Sequence, residues 1–129
     1  MKKILLAAST LSLSGCLNNS SPSECQSTQV VPVSSAIGPK TVTVNQPATY
    51  SLTYQPGSPC GKLSSVAEQV PVAANTHLLG VQVDYNGCNC PQTTTLAQAL
   101  YTFVPTQPGT YYFRFVTASG YLTDTLVAK

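Results

Sequence analysis

The chain has 129 residues, with 6 Lys+Arg against 4 Asp+Glu and only 8% charged residues. That length carries one domain of ordinary size, and charge this sparse supplies neither the basic patch nucleic acid requires nor the acidic loop of a calcium site. Lys2 and Lys3 account for the formal net charge of +2; beyond them Lys40, Lys62, Arg114 and Lys129 balance Glu24, Glu68, Asp84 and Asp124.

The N-terminus comes first in the chain and is the most specific part of it. Lys2 and Lys3 form a short positive region, followed by an apolar run over residues 4–13. A run of about ten residues suits the roughly 7–15 of a signal peptide and falls short of the roughly 20 of a spanning helix. Leu13-Ser14-Gly15-Cys16 closes it. This arrangement resembles the lipobox of a bacterial lipoprotein signal peptide. The resemblance implies removal of residues 1–15 and acylation of Cys16, whose thiol takes the diacylglyceryl group. Multiple acyl chains anchor a protein stably, where one binds only marginally. No later run is long and apolar enough to span a bilayer. Leu17 stands where an Asp would resemble the inner-membrane retention signal of enteric bacteria, so the expected address is the outer membrane. The mature net charge is then zero, which suits a tethered, partner-facing module better than a free one.

Residues 17–28 are rich in Ser, Asn and Pro and read as a flexible tether. From residue 29 to 129 the chain alternates apolar and polar positions. Tyr50, Leu52 and Tyr54 oppose Thr49, Ser51 and Thr53; Tyr111, Phe113 and Phe115 oppose Tyr112, Arg114 and Val116. Period-two patterning of this kind marks half-buried strands, expected over about 29–34, 40–45, 49–55, 63–71, 78–85, 99–104, 110–117 and 122–128. Turn signals punctuate them at Gln46-Pro47, Pro56-Gly57, Asn86-Gly87, Pro108-Gly109 and Ser119-Gly120. Residues 95–100 admit one helical turn at most. Short strands with frequent turns indicate an all-β sandwich or small barrel.

One internal echo favours the sandwich. Gln46-Pro47-Ala48-Thr49-Tyr50 parallels Gln107-Pro108-Gly109-Thr110-Tyr111, each just before a strong strand. Residues 101–113 resemble the corner between the fifth and sixth strands of bacterial immunoglobulin-like domains. That resemblance implies an immunoglobulin-like β-sandwich of about seven or eight strands, with Tyr111 or Tyr112 as the tyrosine corner that bonds back across the turn. An architecture of this kind does not specify a function.

With Cys16 lipidated, Cys25, Cys60, Cys88 and Cys90 remain, an even number in an exported chain, so two disulfides are expected. Cys88 and Cys90 are poor partners for each other, because residues two apart in extended chain lie roughly 6.6–7 Å apart. Alternating strand directions put all four cysteines at one end of the sandwich. Cys25 and Cys60 each then reach one member of the Cys-x-Cys pair, in either combination. The tether enters at that same end, which would face the membrane and leave the Gln-Pro turns as the outer tip. A zinc site is disfavoured, since Cys-x-Cys lacks the usual spacer and the compartment is oxidising. Redox catalysis lacks its Cys-x-x-Cys at a helix start.

No catalytic constellation is visible. His77 is the only histidine, read as lying at a loop edge without an acidic neighbour or a Ser elbow. Blue copper needs further His and Cys ligands late in the chain, and scattered acids do not make a glycosidase pair. Tyr54, Tyr85, Tyr101 and Tyr112 are the tyrosines available for a binding surface. The expectation is a non-enzymatic, lipid-anchored envelope module without cofactor or metal. Its partners would be the membrane, through its lipid, and an envelope protein or glycan, with no role for nucleic acid. The alternative is an inhibitor or carbohydrate-binding module that uses a disulfide-braced loop over residues 86–98.

Overall fold

A computed structural model describes residues 25–69 and 73–129. Residues 1–24, which include the expected signal peptide and Cys16, lie outside the described residues, as do positions 70 and 71 of the expected fourth strand.

Nine strands and no helix make up the described chain: β1 (Gln26–Val31), β2 (Val33–Ile37), β3 (Thr41–Val42), β4 (Ala48–Tyr54), β5 (Gly61–Glu68), β6 (Thr76–Asn86), β7 (Ala97–Phe103), β8 (Gly109–Thr117) and β9 (Gly120–Ala128). They form two sheets, one of six strands along β1-β6-β8-β9-β3 with β5 on β6, and one of three in the order β2-β4-β7. The all-β sandwich expected from the alternation is therefore present. Two pairs, β6 with β8 and β3 with β9, are parallel; the other pairs are antiparallel.

The expected first strand is two strands. The chain joins the β6 ladder already at Gln26, breaks at Pro32, and resumes at Val33 in the other sheet. Proline has no N–H to donate to a ladder, so Pro32 ends one pairing and frees the chain to cross. The expected strand over 40–45 shrinks to two residues. Asn45 takes φ 66°, a left-handed conformation Asn tolerates, and its N–H donates to Pro105 O at 2.8 Å. Residues 95–100 make no helical turn, because β7 begins at Ala97.

β6 is the longest strand. β5 covers one edge of it, while β8 and β1 divide the other: Thr76 to Leu79 pair with β8, and Val81 to Asn86 with β1. Gly80 sits at the changeover, where a β-carbon would come within 2.7 Å of Val30 Cγ1.

The inward positions of both sheets meet in one core. Tyr50 and Leu52 from β4, Leu79, Val81 and Val83 from β6, Phe113 and Phe115 from β8 and Leu126 from β9 are all buried. Each such side chain contributes about 1.5–3 kcal/mol on burial. Tyr50 packs on Phe113 with ring centroids 5.1 Å apart. Its hydroxyl donates to Pro39 O at 3.2 Å, which satisfies the one polar atom it carries inward.

Candidate binding site at the disulfide-braced end

β4, β6 and β8 finish at one end of the sandwich, and β1, β5, β7 and β9 start there. Cys25 precedes β1, Cys60 precedes β5, and Cys88 and Cys90 follow β6, so all four cysteines meet at this end. Cys25 bonds Cys88 and Cys60 bonds Cys90, with Cα–Cα separations of 4.9 and 5.9 Å. The adjacent pair does not bond to itself. These links close stretches of 63 and 30 residues, and each contributes about 2–4 kcal/mol by restricting the unfolded chain.

Gly87 makes the double attachment possible. Its φ is 129°, a region closed to other residues. A β-carbon there would lie 3.0 Å from Cys90 Sγ and 3.4 Å from Cys60 Sγ. Backbone bonds fasten the same point: Gly87 N–H donates to Cys25 O at 2.9 Å and Asn86 N–H to Cys60 O at 3.3 Å.

The segment between β6 and β7 leaves this clamp and is tied down again at Thr93. Thr93 N–H donates to Gly57 O at 3.0 Å, and the Gln55 amide donates to Thr93 O at 3.2 Å. Thr95 N–H in turn donates to Thr93 Oγ1. Beneath, Tyr85 of β6 fastens the loop after β4, its hydroxyl donating to Pro56 O at 2.5 Å. Burial pushes the Tyr85 phenol above its ordinary value of 10.0, with the neighbouring Tyr54 adding to it; burial raises Tyr54 as well. Both hydroxyls therefore remain neutral where the loops are packed.

Gln92, Thr94 and Thr95 stay exposed on this fixed loop. Beside it a groove of about 690 Å³ opens between the β1–β2 crossing and the β8–β9 turn, with Val33, Leu96, Tyr121 and Leu122 as apolar walls and Ser34 and Gln55 as polar ones. A second, polar depression of about 550 Å³ lies across Gln55 and Gly57, against Gln92, Thr93 and Thr94. Among the described residues no charged side chain lines either. Volumes of this order match small-ligand clefts of about 300–1,000 Å³. Tyr121 is 57% exposed and has the Arg114 guanidinium 5.8 Å from its ring centroid. An apolar wall, a flat aromatic ring and neutral amide and hydroxyl groups suit a peptide or a sugar.

The tyrosines distribute differently from the four named as surface candidates. Tyr54 is buried, Tyr85 and Tyr101 are half-buried, and only Tyr112 is exposed; Tyr121 is the one beside the groove. At the opposite end, the Tyr111 hydroxyl donates to Gln107 O at 2.8 Å across the turn. Of the two corner candidates Tyr111 makes this bond, while Tyr112, one residue on, faces solvent.

His77 does not lie at a loop edge. It is the second residue of β6, with its ring against Phe103, Tyr111 and Phe113 at centroid distances of 5.0, 6.4 and 5.4 Å. Its Nδ1 lies 3.1 Å from Glu68 Oε1, the acidic partner that sequence proximity did not indicate. Its Nε2 is buried without a hydrogen-bond partner. No Ser, Thr or Cys is bonded to it among the described residues. Among the same residues, no cluster of His, Cys, Asp and Glu is arranged to hold a metal ion. Comparison with protein-family models, curated proteins and solved structures returned no match.

Proposed function

We propose that the chain is a lipid-anchored, non-enzymatic binding module of the bacterial envelope, at the outer membrane, which engages an envelope protein or glycan through its disulfide-braced end. One observation carries this reading: two disulfides and the Thr93–Gly57 bond immobilise the loop that borders a groove of about 690 Å³. A rigid binding surface loses less entropy on association. The tether from Cys16 to Cys25 spans at most about 30 Å, so the partner would itself lie close to the membrane. The exposed side chains of Gln92, Thr94 and Thr95 on a pinned loop also favour the narrower alternative, an inhibitor or carbohydrate-binding module that inserts residues 86–98 into a partner.

The test is capture from solubilised envelopes with tagged full-length chain, beside a variant carrying Tyr121→Ala and Gln92→Lys. A protein or glycan held by the wild type and lost by the variant is the supporting result. Equal recovery by both, or no partner, contradicts it. The anchor has a separate test: Cys16→Ser should release the chain from membranes, and its retention there would remove the lipidation claim.

A further inference from the structure

Asn86-Gly87 is the sole Asn-Gly pair in the chain, and it falls where both disulfides converge. Asn86 is the last residue of β6 and is exposed. An Asn-Gly pair is chemically labile. The glycine nitrogen attacks the asparagine side-chain amide carbon, a carbon–nitrogen bond forms, and ammonia leaves with the proton of that nitrogen. Water then opens the resulting ring to aspartate or isoaspartate. Glycine favours the attack because no β-carbon shields its nitrogen.

The fold keeps the two reacting groups apart. In a strand the side chain stands roughly perpendicular to the sheet, while the backbone N–H groups lie along the ladder. The pair of Gln26 with Asn86 closes the β1–β6 ladder, and just beyond it Gly87 N–H donates to Cys25 O at 2.9 Å. The nitrogen that would attack is therefore engaged by the residue before β1. Cys25 is itself bonded to Cys88, so a covalent link sits directly behind that hydrogen bond. Cys60 holds the other flank: its carbonyl accepts Asn86 N–H at 3.3 Å, and its sulfur is bonded to Cys90. The end of a ladder is where local opening costs least, and here two disulfides oppose it.

We propose that Asn86 is a redox-gated deamidation site, closed while the Cys25–Cys88 disulfide stands and opened by its reduction. The reductant is a dithiol: it gives two electrons and two protons to the pair and itself closes to a disulfide. With the link gone, the start of β1 separates from the end of β6 and releases the Gly87 nitrogen toward the Asn86 side chain. The isoaspartate product carries an extra methylene in the main chain of residue 86. The turn is crowded at that point, since a β-carbon on Gly87 would already sit 3.0 Å from Cys90 Sγ and 3.4 Å from Cys60 Sγ. Isoaspartate therefore keeps the cysteines from pairing again, and reduction leaves a permanent mark. Asn86 lies outside the lining of the groove and of the depression beside it, and the site does not rest on what they bind.

The test follows deamidation at position 86 by peptide mass mapping of full-length chain in detergent. The samples are the oxidised chain, the chain reduced with dithiothreitol, the chain reduced in urea, and a Cys25→Ser/Cys88→Ser variant that keeps the Cys60–Cys90 bridge. Circular dichroism reports which of them retain their sheets. The oxidised chain should deamidate at least about tenfold more slowly than the chain in urea, which corresponds to about 1.4 kcal/mol for opening the Gly87 bond. The folded double variant should approach the rate in urea. An oxidised chain as fast as the one in urea overturns the inference, as does a folded variant as slow as the oxidised wild type. Loss of the sheets in both the reduced chain and the variant also overturns it, because the whole fold would then be the gate. After reoxidation, chains with isoaspartate at position 86 should lack both native links, while Asn86→Gln taken through the same cycle should regain them. Equal recovery of the links contradicts the permanent mark.

Discussion

Gly87 lies against Cys90 so closely that a β-carbon on it would sit 3.0 Å from the Cys90 sulfur. The same residue holds φ 129° and bonds Cys25 through its N–H. One glycine thus turns the end of β6 so that cysteines on both flanking strands reach the Cys-x-Cys pair. Gly87→Ala is expected to lower stability by about 1–3 kcal/mol. Chemical denaturation of the oxidised protein measures this; a loss under a few tenths of a kcal/mol would mean the turn accepts a side chain.

Lys40 and Asp124 form an ion pair whose two members differ in burial: the Asp124 side chain is 8% exposed and that of Lys40 72%. Asp124 also accepts Thr125 N–H at 2.8 Å. Removing the lysine leaves a buried carboxylate without its cation, which is costly, while the solvent around Lys40 reduces the effect. Lys40→Met should cost about 1–2 kcal/mol, and adding Asp124→Asn should recover part of it. Urea denaturation of the single and double variants decides; a double variant no better than the single one contradicts the pairing.

Tyr111 and Tyr112 are adjacent and chemically identical, yet only Tyr111 bonds across the turn to Gln107. Tyr111→Phe should therefore cost about 1 kcal/mol, and Tyr112→Phe close to nothing. Thermal unfolding of the two variants separates them, and equal losses would count against the corner.

Burial, and secondarily the nearby Asp124 carboxylate, holds the Tyr50 phenol up at about 12. Burial, with Glu68 second, holds Tyr101 up at about 12. In the unfolded chain both ionise near 10.0. Between these values the folded state keeps protons that the unfolded state has lost, so stability falls as pH rises through this window. Stability measured against pH should start to decline near the lower value and level off near the upper one, as far as these two groups are concerned. Tyr50→Phe should flatten part of the slope. A profile level throughout the window would show that neither phenol is shifted.

The alternation of Tyr50, Leu52 and Tyr54, and of Tyr111, Phe113 and Phe115, was readable because a half-buried strand writes its burial into every second residue. The gathering of four cysteines followed from strand direction alone. The pairing of Cys25 with Cys88 did not, because both combinations satisfy chain length and the choice rests on how Gly87 turns. The break at Pro32 was missed for a similar reason: residues 29–34 alternate well enough, and the change of sheet leaves no periodic trace. Lys40 and Asp124 are 84 residues apart, and β3 and β9 bring them together only in the folded sheet. His77 and Glu68 meet because β5 and β6 form a ladder with Glu68 opposite Leu79. The groove beside Tyr121 draws on four separate segments, none with a signature of its own.

The most direct measurement of the proposed function is photo-crosslinking in intact envelopes, with the reactive group at Gln92 in one variant and at Gln107 in another. Gln92 lines the polar depression on the braced loop, which shares Gln55 and Gly57 with the groove, and Gln107 stands on the turn at the opposite end of the sandwich. The expected result is a discrete adduct from Gln92 that disappears when Tyr121→Ala is added, with no matching adduct from Gln107. An adduct from Gln107 alone, or the same adduct from both positions, would contradict a binding site at the disulfide-braced end.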